Sequence, residues 1–240
     1  MTFNTFYAII NIEIKEVEPM AKKKFYMVLD TETANGLDDP LVYDIGFAIV
    51  DKRGQVYLEK SFVIYDTFVL MKDLMQTAYY AEKIPQYEED LKNDKRKLVT
   101  LATAQSIIAY NLKKFNISAV IAHNMRFDYN ALNTTLRYLT KSQKRYFLPY
   151  NTTIWCSLAM ARTTIGKQKT YQLWCKENGY VTRNNQPRLT AEILYRYITN
   201  NNDFIESHTG LEDVLIEKEI FAHCIRQHKK MQRTYWKETA

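Results

Sequence analysis

Three short stretches of the chain carry acidic side chains at spacings that could do chemistry. In the first, Met27 to Gly36, an apolar run ends in Asp30 and Glu32 with Thr31 between them. Residues two apart on a strand point to the same face, so both carboxylates leave one side where the strand emerges from the core. Such a pair is a place to hold a hard divalent cation with oxygen ligands. In the second, Asn124-Met125-Arg126-Phe127-Asp128, a strand-like run passes directly into a helical pattern. Asp128 then sits in the first helical turn, where the positive end of the helix dipole favours negative charge. In the third, Glu206 to Val214, Thr209 and Glu212 stand three apart as a capping box, which predicts a helix start with Asp213 in its first turn. His208 precedes the cap and is free of the helical lattice; within one helix it and Asp213 would point about 140° apart. A histidine beside a metal-bound carboxylate is a natural general base for activating water. Taken singly, the three stretches have plain structural readings as a polar strand end, a stabilising N-terminal acid and a surface histidine.

The elements that must position these residues follow from periodicity. Phe25 to Leu29 is a short continuous apolar run, the pattern of a central strand buried on both faces. Leu41 to Val50 and Gln55 to Ile64 read as two further strands flanking the turn Asp51-Lys52-Arg53-Gly54. Thr103 to Phe115 has helical spacing at Ile107, Ile108, Leu112 and Phe115, and Ile117 to Ala122 is a strand. A strand, a helix and a strand in this order predict a parallel crossover, and therefore a mixed sheet with helices packed on it. Ala131, Leu132, Leu136 and Leu139 continue a helix after Asp128; Val214, Ile220, Phe221 and Ile225 continue one after Asp213; Thr190 to Thr199 is a further helix. The fold class is α/β, and the carboxyl edge of such a sheet is where ligand sites tend to lie. Asp66 to Leu98 is helical and highly charged, and reads either as a solvated face or as a lobe flanking the substrate.

Composition narrows the function. A chain of 240 residues, 46% hydrophobic and 25% charged, suits one domain with decorations. Residues 1–23 read as an appendage: Phe6 to Ile14 fits an edge strand or a disordered segment, and Met20 offers a second start. The domain itself is expected over 24–230, with a polar tail at 231–240. No apolar run approaches the length that spans a bilayer, so a cytoplasmic protein with no membrane partner is expected. Three cysteines, Cys156, Cys175 and Cys224, lack metal-ligand spacing and read as buried thiols. Six glycines and no phosphate-cradling loop exclude nucleotide hydrolysis of the P-loop kind. The net charge of +6 favours a polyanionic partner. Between Leu158 and Arg188, Arg162, Lys167, Lys169, Lys176, Arg183 and Arg188 interleave with Tyr171, Trp174 and Tyr180; Arg137, Lys141, Lys144 and Arg145 form a second basic run. Cations that track phosphates beside rings that stack on bases are what single-strand binding requires, although Trp174 also fits the core of a short helix.

In order and interval, the three motifs together resemble those of the DEDDh 3'-to-5' exonucleases. This DnaQ-like group includes the proofreading subunit of bacterial replicative DNA polymerase, RNase T and oligoribonuclease. Asp30-Thr31-Glu32 matches the first motif, Asn124 to Asp128 the second, and His208 to Asp213 the third, and the resemblance covers roughly residues 25 to 225. Gly210 stands where the family commonly has alanine. Asp66 to Leu98 and Leu158 to Arg188 follow no family pattern, which makes them the stretches where substrate preference would be decided. The resemblance implies an RNase H-like fold with a central mixed five-stranded sheet flanked by helices. It implies hydrolysis of phosphodiester bonds from a 3' end, releasing nucleoside monophosphates. Two Mg²⁺ or Mn²⁺ ions would be held by Asp30, Glu32, Asp128 and Asp213, with His208 taking the proton of the attacking water. Thr31, Thr33, Asn124, Phe127, Lys167 and Lys169 are the expected substrate-side residues, Asn124 and Phe127 as support for the loop. Single-stranded DNA is the expected substrate, with an RNA-specific enzyme as the alternative. The alternative of another class is a nucleic-acid-binding accessory subunit of a polymerase or repair complex with little turnover of its own.

Overall fold

Six strands form one mixed sheet in the order β4-β3-β2-β1-β5-β6, in a computed structural model that describes residues 23–234. The segment Phe6 to Ile14, read as an edge strand or a disordered segment, and the last residues of the polar tail lie outside the described residues. The axis of the sheet is β1 (Phe25–Ala34), paired antiparallel with β2 (Leu41–Asp51) and parallel with β5 (Ile117–Ala122). β2 pairs antiparallel with β3 (Val56–Ile64) through the turn ending at Gly54, whose φ of +84° is open to glycine at little cost. The sheet has six strands rather than the expected five. The additions are β4 (Lys97–Val99) and β6 (Ile154–Cys156), three-residue strands at the two edges, parallel to β3 and β5. Strands this short show no alternation in sequence, and Lys97 and Leu98 were concealed at the end of the charged segment.

Alternation of side chains divides the core into two layers. Met27, Leu29, Ile45, Phe47 and Ile49 face α4 (Leu101–Lys114) and α5 (Met125–Leu139). Tyr26, Val28, Ala48 and Val50 face α6 (Ser157–Thr163), α8 (Ala191–Thr199) and α9 (Gly210–Arg226). Each fully buried Ile or Phe in these layers contributes about 1.5–3 kcal/mol by leaving water. α4 begins two residues before the expected start at Thr103, because Thr100 is the cap and its hydroxyl accepts the Thr103 N–H at 3.2 Å.

The charged segment is a lobe with its own small core. α1 (Tyr65–Phe68), α2 (Lys72–Met75), one 3₁₀ turn (Ala81–Lys83) and α3 (Ile84–Lys92) bury Phe68, Met75, Ala78 and Tyr87 against Ala34, Tyr43 and Val63 of the sheet. Most of its acids and bases are exposed, but Asp90 and Arg96 are buried. Trp174, on α7 (Lys169–Glu177), packs among Tyr171, Tyr180 and Tyr197 with ring centres 5.2–6.0 Å apart, which is the core reading of that residue. All three cysteines are free and buried. Among the described residues, no helix is long and apolar enough to cross a membrane.

Candidate metal and active site

The site lies at the carboxyl ends of β1 and β5, where α5 and α9 begin. The pairing of β1 with β2 shifts register between Glu32 and Thr33, an irregularity directly beyond the two carboxylates. β5 ends at Ala122, and Asn124, in the left-handed region at φ 67°, turns the chain into α5. The Phe127 N–H donates to the Asn124 carbonyl at 2.8 Å and closes the first turn. Asp128, 2% exposed, is then held from the neighbouring strand: its Oδ1 accepts the Thr31 N–H at 3.1 Å and the Thr31 hydroxyl at 2.9 Å.

The start of α9 supplies the opposite wall. Gly46 of β2 and Gly210 meet so closely that a Cβ on Gly46 would fall 2.2 Å from the Gly210 carbonyl carbon, so only two glycines permit this approach. The expected capping box does not form. Thr209 is the cap residue, but its hydroxyl donates to Glu212 at 2.7 Å, and the Gly210 N–H is taken by Asp44 Oδ2 at 2.9 Å. A carboxylate from the sheet therefore does the work assigned to the helix's own side chains.

These contacts bring Asp30, Glu32 and Asp213 together, each offering a carboxylate oxygen within 4.8 Å of the others. Asp128 lies outside that trio but presses electrostatically on Asp30 and Glu32. Asp213 Oδ1 is buried with no hydrogen-bond partner among the described residues. Burial, then repulsion from Glu217, Asp128, Glu32 and Asp213, pushes the Asp30 carboxyl well above its usual range. Glu32 rises to about 9 through burial and then Asp213, and Asp213 to about 8 through burial and then Glu206. Burial also raises Asp128, to about 7, against the opposing Thr31 hydroxyl. Crowded hard oxygen donors, one of them an orphaned buried oxygen, are the ligands that Mg²⁺ or Mn²⁺ takes, and a cation's charge would offset the repulsion among them. The residues present fit such an ion.

His208 also takes a left-handed conformation, at φ 53°. It shares a second group with Glu206 and Asp213, whose ligand atoms likewise lie within 4.8 Å of one another. Its Nδ1 is 3.9 Å from a Glu206 oxygen, and its ring stacks on Tyr80 with centres 4.3 Å apart and planes at 9°. His123, the other histidine nearby, is pushed down to about 4 by burial, and both its ring nitrogens are engaged: Nδ1 with Ser157 at 3.0 Å and Nε2 with the Leu189 carbonyl at 2.8 Å. Both His123 ring nitrogens are thus committed, whereas His208 faces Glu206 and Asp213.

An open cleft of about 1040 Å³ runs from Asp30 past Asn124, Arg162, Lys167 and Arg188. Of the expected substrate-side residues, Asn124 and Lys167 line it. Lys169 is exposed on α7 outside it, while Phe127 and Thr33 are half-buried and do not line it. Thr31 is 5% exposed, and both its N–H and its hydroxyl donate to Asp128. The second basic run is separate: Lys144 and Arg145 line another groove with Tyr146 and Tyr150.

Two groups escaped the sequence reading. Glu217, 3% exposed, stands one helical turn after Asp213 and accepts the His123 N–H at 3.0 Å, which makes it a fifth carboxylate at the site. Its i, i+4 spacing from Asp213 was a signal that could have found it. Asp44 and Arg96 form a buried network: Asp44 accepts from Tyr87 at 2.6 Å and Arg96 at 3.4 Å, and Arg96 reaches Asp90, Ser61 and Glu212. Arg96 and Glu212 are 116 residues apart, and no local pattern announces the pair.

No family model and no curated protein matches the chain. Solved structures do. A product-bound structure of exonuclease I is 14% identical with a TM-score of 0.51, covering 86% of this chain and 44% of that one. E. coli exonuclease I in complex with a 5cy-dT13 oligonucleotide is 13% identical with a TM-score of 0.50, covering 86% and 41%. This chain thus spans less than half the length of those proteins. The likeness is one of fold: the chain has the RNase H-like α/β fold of the DnaQ-like exonucleases.

Proposed function

We propose that this chain is a metal-dependent exonuclease of the DEDDh type that removes nucleotides from the 3' end of single-stranded nucleic acid, with DNA the preferred substrate. The observation that carries the proposal is the convergence of Asp30, Glu32 and Asp213 within 4.8 Å, with His208 grouped within the same distance of Asp213 and with Asp30 lining a cleft that Arg162, Lys167 and Arg188 also line. Asp30, Glu32, Asp128 and Asp213 would hold two Mg²⁺ or Mn²⁺ ions, which when bound supply a lowered pKa for water and stabilisation of charge on the leaving 3' oxygen. Thr31 fixes the Asp128 carboxylate through its N–H and its hydroxyl. His208 accepts the proton of the attacking water at a ring nitrogen; burial lowers its pKa, so it is neutral and able to accept near pH 7. Lys167, Arg162 and Arg188 along the cleft suit a phosphate backbone, and the dT13 oligonucleotide bound to exonuclease I agrees with a single strand.

The test is digestion of a 5'-labelled single-stranded DNA oligonucleotide and its RNA counterpart with Mn²⁺ or with EDTA. The expected result is a ladder shortening from the 3' end, faster on DNA, and absent with EDTA or in Asp30→Ala. Binding of both strands without cleavage would instead assign the chain to the accessory class, whose partner would be a polymerase or repair enzyme.

A further inference from the structure

We infer that Tyr80, in the charged lobe between β3 and β4, is a positioning residue for His208, so that the lobe is a clamp on the general base of the reaction. The inference rests on the exonuclease reading above, since it assigns His208 that role. The two rings are nearly parallel, at 9°, with centres 4.3 Å apart, and both residues are half-buried. His208 needs such a support. It precedes α9, its φ of 53° lies in a region that a β-substituted residue seldom occupies, and no helical hydrogen bond fixes its ring. A face-to-face contact opposes rotation of the imidazole about its outer bond while leaving its Nδ1 edge facing Glu206.

The lobe is built to deliver that ring. Met75 and Ala78 are buried against the sheet just before Tyr80, and Tyr87 is buried just after it. The Thr77 hydroxyl accepts the Asn35 N–H at 2.9 Å, which ties this stretch to the end of β1, three residues beyond Glu32. Arg96 at the far end of the lobe binds Asp44 and Glu212, and Asp44 in turn accepts the N–H of Gly210, two residues after His208. The lobe that carries Tyr80 and the helix start that follows His208 are therefore both tied to the sheet, by Thr77 on one side and by Arg96 and Asp44 on the other. A lobe present only as a solvated face has no need of these attachments.

The experiment compares steady-state cleavage of 5'-labelled single-stranded DNA with Mn²⁺ by the full chain and by Tyr80→Phe, Tyr80→Leu, His208→Ala and the double variant Tyr80→Leu/His208→Ala. Tyr80→Leu is expected to lower kcat by about 10- to 100-fold with KM unchanged, and Tyr80→Phe to stay within about twofold of the wild type. In the His208→Ala background, Tyr80→Leu should do nothing further, because its effect passes through the histidine. The ring-current shift of the His208 C–H protons, read by NMR, should be present in the wild type and in Tyr80→Phe and lost in Tyr80→Leu. Equal kcat for Tyr80→Leu and wild type, an effect confined to KM, or an additive loss in the double variant would overturn the clamp while leaving the exonuclease intact. A wild-type chain with no 3' shortening would overturn the exonuclease reading instead. Should Tyr80→Leu fail to fold, Tyr80→His, which keeps a flat ring, decides by the same split between kcat and KM.

Discussion

Asp30, Glu32, Asp128, Asp213 and Glu217 pose one problem at five positions, namely how to bury a carboxylate among others. Each is raised by burial first and by its neighbours next, apart from Asp128, where the Thr31 hydroxyl opposes the rise. Glu217 separates the two effects. Its carboxylate accepts the His123 N–H at the end of β5, so Glu217→Leu leaves a buried donor unpaired and should cost about 1–3 kcal/mol in urea unfolding. Glu217→Gln keeps an acceptor oxygen there and removes only the charge. It should match or exceed the wild type in metal-free stability and bind Mn²⁺ more weakly by calorimetry. If Glu217→Gln bound Mn²⁺ as tightly as the wild type, the fifth carboxylate would have a structural duty only. Thr31→Val makes a parallel case: it removes the hydroxyl bond to Asp128 at 2.9 Å and keeps the N–H bond at 3.1 Å. A loss of about 0.5–1.5 kcal/mol in stability, with a larger loss of kcat, is the expected outcome.

At the scale of elements, the site depends on how closely α9 approaches β2. Gly46→Ala places a methyl group 2.2 Å from the Gly210 backbone, and the strand and the helix start must separate to admit it. Overpacking of this kind costs about 1–3 kcal/mol, but the displaced element carries His208 and Asp213, so cleavage should fall further than stability does. A Gly46→Ala variant with a lowered Tm and wild-type kcat would show that the approach serves packing alone. Arg96→Met tests the same junction from the lobe. Asp44, 0% exposed, would lose its cation while keeping Tyr87 and Gly210, and stripping one partner from a buried pair costs about 3–5 kcal/mol. These elements also mark what could be read beforehand. β1, β2, β3 and β5 and the helices after Asp128 and Asp213 were legible because an apolar period announces an element buried on one side or both. β4 and β6 were too short to have a period, and the small core of the lobe rests on Phe68, Met75 and Tyr87, which are too irregularly spaced to declare a common face. The three acidic motifs were legible because each lies within a few consecutive residues. Tyr80 against His208 and Arg96 against Glu212 were not, since side chains over a hundred residues apart meet only through the fold.

For the whole molecule, the carboxylate cluster fixes how stability varies with pH, and the sign follows from the direction of the shifts. In the metal-free protein, Glu32 ionises near 9, Asp213 near 8 and Asp128 near 7, with Asp30 and Glu217 also held high, against 3.8 for an ordinary Asp and 4.5 for an ordinary Glu. Below the ordinary values both folded and unfolded chains are protonated, and the cluster costs nothing. As pH rises, the unfolded chain ionises first, so the folded state loses stability continuously until its own groups ionise between about 7 and 9. His123 works in the other direction. Held neutral with a pKa of about 4 against an ordinary 6.5, it removes stability as pH falls through that interval. His208 and His223 are lowered in the same direction, but the raised carboxylates outnumber the histidines, so the metal-free Tm should fall steadily from about pH 5 toward pH 9, with each unit of unmatched ionisation worth about 1.4 kcal/mol. A divalent cation stabilises the ionised carboxylates that high pH favours. Mn²⁺ should therefore raise Tm little at about pH 5 and by several degrees at about pH 8, where stronger binding adds to a weaker starting state. Differential scanning calorimetry across this range, with EDTA or with Mn²⁺, measures both slopes. A metal-free Tm that rises from pH 5 to pH 9 would mean that the carboxylates are compensated by something other than a cation, and the metal site would have to be abandoned with it.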